Sequence, residues 1–220
     1  MIVRTLRHVR VVALVALVAL ALTATALAGR GDPKERFTTR DQARAKAMLL
    51  RPSDFSPVYV AQPAANSSGG FYCAALDESD LTLSGRANSP TFTTTGEVVR
   101  STASVYATRA DANASWARGV STAGEQCLRA TLRADLTGSA VRLVSFGRVP
   151  FPARGARSAA YRAVATVQGI HVYVDVVTMQ ISRAEAAVLY VNALAPPPQS
   201  ELRRLTGLVA ARGQKAMRGA

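Results

Sequence analysis

Three long runs near the C-terminus constrain the fold more than any other feature of the chain. Ser158 to Gln168, Ile170 to Ile181 and Ala186 to Leu194 are each eight or more residues long, rich in Val, Ala and Tyr, and joined by short connections. Runs of this composition bounded by chain breakers read as strands. Gly169 stands between the first two, where a tight hairpin needs a residue that accepts positive φ, so an antiparallel meander is predicted. In the middle strand the two-residue period puts Val172, Val174 and Val176 on one face, expected to meet the helices, and His171, Tyr173 and Asp175 on the other.

Helical periods surround these strands. Pro196, Pro197 and Pro198 end the sheet, and Ser200 is placed to cap a last helix in which Leu202, Leu205, Leu208 and Val209 recur at spacings of three and four. Arg212 interrupts that stripe one turn later, so its apolar face is expected to fade there. Thr39 to Leu50 predicts an earlier helix, with Thr39 as cap, Asp41 in the first turn, and Ala43, Ala47 and Leu50 on the inner face. Ser53 to Leu76 reads as loop with one brief strand around Val58 to Val60. Thr91 to Thr108 reads as two extended segments divided by Gly96. Ala112, Trp116 and Val120 then recur every four residues. Thr122 and Glu125 have capping-box spacing ahead of a helix with Leu128, Leu132 and Leu136 on one stripe. The fold class is α+β: an antiparallel sheet with helices packed against it.

The N-terminus states a compartment. Arg4, Arg7 and Arg10 precede an unbroken apolar run from Val11 to Leu22, and Ala26, Leu27 and Ala28 form an A-x-A exit. Residues 1–28 are therefore predicted to be a secretory signal peptide cleaved after Ala28. The alternative is an uncleaved anchor over Val11 to Gly29. Residues 29–37 read as a flexible lead and 38–220 as one domain, in contact with membrane only through the transient signal. In an exported chain the two cysteines, Cys73 and Cys127, are expected to form a disulfide. Closing a loop of about 55 residues stabilises a fold by roughly 4 kcal/mol on the chain-entropy model.

Charge and residue type narrow the chemistry. The net charge of +13 falls by three with the signal peptide, and the remaining arginines are spread along the chain without a basic stripe or an aromatic-basic motif, so nucleic acid is not an expected partner. His171 is the only histidine after the signal, which excludes histidine clusters for zinc and leaves any Ser-His-Asp arrangement to one residue. Asp77, Glu78 and Asp80 offer paired carboxylates but read as a solvated turn. Gly69 and Gly70 are not followed by the Lys-Ser/Thr of a phosphate loop. No catalytic residue, metal or cofactor is assigned. His171, Tyr173 and Asp175 are the candidate binding residues.

The layout resembles the PknH-like extracellular sensor domain family, found outside the membrane on some actinobacterial serine/threonine kinases and as stand-alone exported or lipid-anchored proteins. The likeness runs over about 180 residues, from Thr39 to Gly219. It is carried by an Ala-rich helix ending at Leu49 and Leu50 before an acidic turn at Asp54, Cys73, a strand from Ser101 to Thr108 feeding the Trp116 helix, the Cys127–Leu128 pair, the late strands and the closing Leu202 to Val209 helix. The resemblance implies a curved antiparallel sheet with a cleft for a ligand. The sequence departs from it in having no kinase domain, no lipid-accepting cysteine and no second cysteine pair, so a signalling role is not carried over. The expectation is a monomeric, exported, non-enzymatic binding or sensor-like domain that recognises a small envelope molecule or partner. The alternatives are a secreted hydrolase of unrecognised type and a lipid carrier with an apolar cavity between sheet and helices.

Overall fold

The computed structural model describes residues 31–64, 73–136, 139–193 and 195–218. The predicted signal peptide and its expected cleavage site lie outside the described residues. The elements are β1 (Lys34–Glu35), α1 (Thr39–Met48), β2 (Val60–Gln62), β3 (Thr82–Asn88), β4 (Thr91–Thr93), β5 (Glu97–Tyr106), α2 (Arg109–Gly119), α3 (Thr122–Leu136), β6 (Val141–Arg148), β7 (Arg157–Val167), β8 (Ile170–Ile181), β9 (Ala184–Ala193) and α4 (Gln199–Ala216), with short 3-10 turns at Pro52–Asp54 and Ala74–Leu76. The strands form one open sheet in the order β1-β3-β5-β9-β8-β7-β6, and β4, carrying β2, pairs beside β5. All pairings are antiparallel except β1 with β3. The class is α+β as predicted, closed by a Cys73–Cys127 disulfide.

The meander forms because its turns can close. Val167 pairs with Ile170, leaving Gln168 and Gly169 as a two-residue loop, both at positive φ (50° and 81°). That conformation matches the right-handed twist of the flanking strands. Two further strands, β3 and β6, are not legible in the sequence. β3 carries Gly85, on which the first turn of α1 sits: a Cβ there would lie 2.5 Å from the Asp41 carbonyl. β6 is an edge strand with a register shift between Leu143 and Ser145, so its alternation is broken. Lys34–Glu35, inside the stretch read as a lead, pairs with β3 at Thr82 and Leu83.

Helices cover both faces of the sheet, not one as expected, because the strands are apolar on both sides. On the first face Val99, Ala103, Val105, Val177, Met179, Val188 and Tyr190 pack against Met48 and Leu50 beside α1 and against Leu202, Leu205 and Val209 of α4. On the second face Val98, Val172, Val174, Leu189 and Val191 form a separate cluster with Leu143 and Phe146 of β6. Here α2 lies over the β5 and β9 side, and α3 beside β6. Val172, Val174 and Val176 belong to this second face, while the odd-numbered residues of β8 face α1 and α4.

Helix ends and faces differ from expectation in instructive ways. Thr38, not Thr39, caps α1 by accepting the Asp41 amide at 3.1 Å, and Ser121, not Thr122, caps α3 by accepting the Gly124 amide at 2.9 Å. α4 begins directly after Pro198 without a side-chain cap, so Ser200 does not serve. Its packing continues past Arg212 through Gly213 and Met217, since Arg212 forms a double ion pair with Asp54 (2.6 Å each) and donates to the Leu49 carbonyl. The buried face of α1 is Asp41, Arg44, Ala45 and Met48, with Ala43 exposed. Asp41 on that face pairs with both Arg44 and Arg183, which is why a purely apolar reading misplaced it.

Candidate functional site

Strand parity keeps His171, Tyr173 and Asp175 on one face, but they do not make one site. His171 is exposed and meets the Tyr173 ring edge-on, with centroids 6.3 Å apart. Asp175 is fully buried, and both its oxygens are held by the Arg162 guanidinium at 2.6 and 2.7 Å. Gln199, at the start of α4, approaches the same carboxylate at 3.5 Å. Asp175 is therefore committed to a bidentate ion pair and offers nothing to a ligand. Among the described residues no carboxylate or hydroxyl lies within hydrogen-bonding reach of His171.

A polar network on the same face is likewise closed on itself. Glu97 accepts from Tyr59, from Tyr190 at 2.9 Å and from Asn192 at 3.2 Å. Burial, and then the Glu97 carboxylate, push the Tyr59 hydroxyl up to about 12. Every group in the network has a partner, so it holds the β2 segment to β5 and β9.

Buried polar atoms of Arg100, Tyr161 and Glu185, on the second face, have no hydrogen-bond partner, nor does Thr166 Oγ1 on the first. At the α2 end of the second face, Ser104, Glu185, Gln180 and Arg157 stand on one row across β5, β9, β8 and β7. Asn113 of α2 accepts from Gln180 at 3.0 Å and from Arg157 at 2.5 Å, and the Arg157 guanidinium lies 5.6 Å from the Trp116 ring centroid. Beside this row Glu78 turns inward to the Tyr106 hydroxyl at 3.2 Å, and Tyr106 meets Ser115 at 2.7 Å. The acidic cluster of Asp77, Glu78 and Asp80 is thus not simply a solvated turn: Asp80 is held by the Arg118 fork while Glu78 is half-buried.

The Glu78 charge acts on Glu185. Burial first, then the neighbouring Glu78 charge, push Glu185 up to about 8, with Ser115 and Arg157 offsetting only part. Burial also raises Glu78, against hydrogen bonds from Ser115 and Tyr106. Oε1 of Glu185 is buried with no hydrogen-bond partner. Because the folded value lies above the unfolded one of 4.5, Glu185 binds its proton more tightly on folding, and its contribution is full below about pH 4.5 and lost as pH rises through about 8. Glu185→Gln is expected to leave stability below about pH 4 unchanged and to raise it above pH 8 by more than about 1 kcal/mol, which urea titrations followed by the single tryptophan, Trp116, would measure. An unaltered alkaline arm would refute the assignment.

Of the next two rows of the second face the first is half-buried throughout, and the second is half-buried only at Arg100 and Val176. Thr102, Ala187, Thr178 and Ala159 pair in sequence across β5, β9, β8 and β7, all small and all half-buried. The adjoining row is Arg100, Leu189, Val176 and Tyr161 on the same four strands. Tyr161 is only 6% exposed, stacked with Phe146 at 5.9 Å, and its hydroxyl has no partner. Arg100 is half-buried with its Nε unpaired, and burial alone pulls its guanidinium below the ordinary value, no acid pulling it back. Buried polar groups are almost always matched, and two unmatched ones stand on this one row. Sequence reading missed both: Arg100 and Tyr161 are outward residues of unremarkable strands until the register aligns them.

Among the described residues no group of three or more His, Cys, Asp or Glu is placed to hold a metal ion, and no helix is long and apolar enough to cross a membrane. The disulfide and the lack of such a helix are compatible with a protein outside the cytoplasm. The architecture is that of a disulfide-closed α+β domain with an open, mostly antiparallel sheet. No family model matches the chain, and no curated protein resembles it significantly.

Proposed function

We propose that this chain is an exported binding domain of the PknH-like sensor type, which captures a small envelope molecule on the second face of its sheet, between α2 and the β6–α3 side. The observation that supports this reading is the pair of unpartnered polar groups, Arg100 and the Tyr161 hydroxyl, beside an apolar cluster of Val, Leu and Ala. Ligand sites combine an apolar lining with a few polar groups that fix orientation, and this face has that composition. His171, Tyr173 and Asp175 are not part of the proposed site.

A thermal-shift screen of the chain without its first 28 residues, against cell-wall fragments and lipids, tests it. A true ligand at a hundred times its Kd stabilises by about 2.7 kcal/mol, which for a domain of this size is roughly 5–11 °C. A panel in which no compound shifts the melting temperature would refute the reading. Export is tested separately, by sequencing the N-terminus of protein recovered from the culture medium, which is expected to begin at Gly29.

A further inference from the structure

We infer that the outer surface of the α1–α4 layer docks on a membrane rich in anionic lipid headgroups, holding the domain against the bilayer with its second face turned away. The cations that form this surface are scattered in the chain and gathered by helix period. Burial of Asp41, Arg44, Ala45 and Met48 turns Arg40 and Lys46 of α1 to solvent, and burial of Leu202, Leu205, Val209 and Gly213 does the same for Arg203, Lys215 and Arg218 of α4. The two helices lie together on the first face, tied by Arg212, which reaches Asp54 and the Leu49 carbonyl just past the end of α1. None of the five exposed cations has an acid partner among the described residues. The acids of this layer are already spent: Asp41 on Arg44 and Arg183, Asp54 on Arg212, and Glu201 on Arg204. The opposite side differs, since the described exposed positions of α2 and α3 are Ala, Asn, Gln and Thr apart from Arg109 and Arg133.

A broad array of unpaired cations fits a broad array of anions, and each Lys or Arg close to an anionic leaflet strengthens binding by about fivefold. Two observations favour a bilayer over a soluble polyanion. Phe37, in the segment leading into α1, is 43% exposed, and Lys34, Arg36 and Arg40 around it are exposed as well. An aromatic ring among cations enters the headgroup boundary while the charges stay at the phosphates; a soluble polyanion offers that ring no apolar contact. The second observation is position, which rests on the export reading: α1 opens shortly after the apolar run Val11 to Leu22 that would bring the chain to a membrane. Membrane contact then extends beyond the signal peptide, to which the sequence alone confined it.

The test is sedimentation of the chain from residue 29 onward, which holds every described element, with vesicles of phosphatidylcholine alone or mixed equally with phosphatidylglycerol. Binding to the mixed vesicles is expected to be at least tenfold tighter, and to be lost in about 1 M salt, where charges are screened beyond about 3 Å. Arg40→Gln with Lys215→Gln is expected to weaken it by about tenfold or more. Arg109→Gln with Arg133→Gln removes the same charge from the other side and is expected to weaken it by twofold or less, and Phe37→Ser by a few-fold. All five side chains are exposed, so thermal melts of these variants are expected to match wild type. Equal binding to both kinds of vesicle would overturn the inference. So would equal weakening by the two double variants, which would show net charge acting without orientation, or capture of polyphosphate by a chain that leaves the mixed vesicles untouched. None of these outcomes bears on the ligand of the second face, which the thermal screen tests by itself.

Discussion

Replacing Asp41 by alanine is expected to destabilise the domain by about 3–5 kcal/mol, the usual cost of removing one partner from a buried ion pair. Asp41 lies in the first turn of α1 and receives Arg183 on both oxygens, at 2.7 and 3.1 Å, and Arg44 at 2.9 Å. Arg183 sits in the β8–β9 turn and also donates to Ser84 at 3.2 Å and to the Tyr106 carbonyl. One carboxylate therefore joins a helix, two strands and a hairpin. Its loss leaves two arginines with little access to water. Burial by itself would raise the Asp41 carboxyl, but the hydrogen bonds from Arg183 and Arg44 outweigh it and hold it well below the usual carboxylate range. The sign follows: this stabilisation is present above the unfolded value of 3.8 and is lost as pH falls further toward the depressed folded value. Denaturant titration of Asp41→Ala, Arg183→Met and the double variant would measure it. The double variant is expected to cost less than the sum of the singles. Additive costs would show that the pair is not coupled.

The second large effect belongs to the disulfide. Cys73 precedes the Ala74–Leu76 turn, and Cys127 lies in α3, 54 positions away in sequence. Substituting both by alanine is expected to cost about 4 kcal/mol through the freed denatured chain, roughly 8–16 °C in melting temperature. The loss should not be uniform. Leu76 packs at the junction of α2 and α3, within 2.9 Å of the position a Cβ would take on Gly124. Freeing this corner loosens the wall of the second face, so hydrogen exchange is expected to rise first in α3 and β6 while the α1 and α4 face stays protected. Uniform exchange, or a melting temperature unmoved by reducing agent, would contradict the placement.

Much of the fold was legible because it is local. The β7–β8 hairpin follows from two residues able to take positive φ, and the α2 stripe of Ala112 and Trp116 follows from a four-residue spacing; both are buried as predicted. The inner face of α1 was misread because its buried side chains include Asp41 and Arg44, whose partner Arg183 is 142 residues from Asp41 in sequence. β3 was missed since Ser84, Gly85 and Arg86 carry no strand propensity. They are strand because β5 pairs with them and α1 needs a glycine beneath it.

The candidate site was less legible still. His171, Tyr173 and Asp175 were singled out because alternation aligns them, and it does; Asp175 was then taken by Arg162, a residue on the neighbouring strand. Glu185 and Glu78 approach each other over more than a hundred positions, and Arg100 meets Tyr161 only through the order β5-β9-β8-β7. Which residues lie on a strand's two faces is a property of the chain, since it depends on backbone period alone. Which strand lies beside which, and so which charge is neutralised and which is left without a partner, was decided by tertiary structure, because those energies act between groups that sequence proximity never brings together.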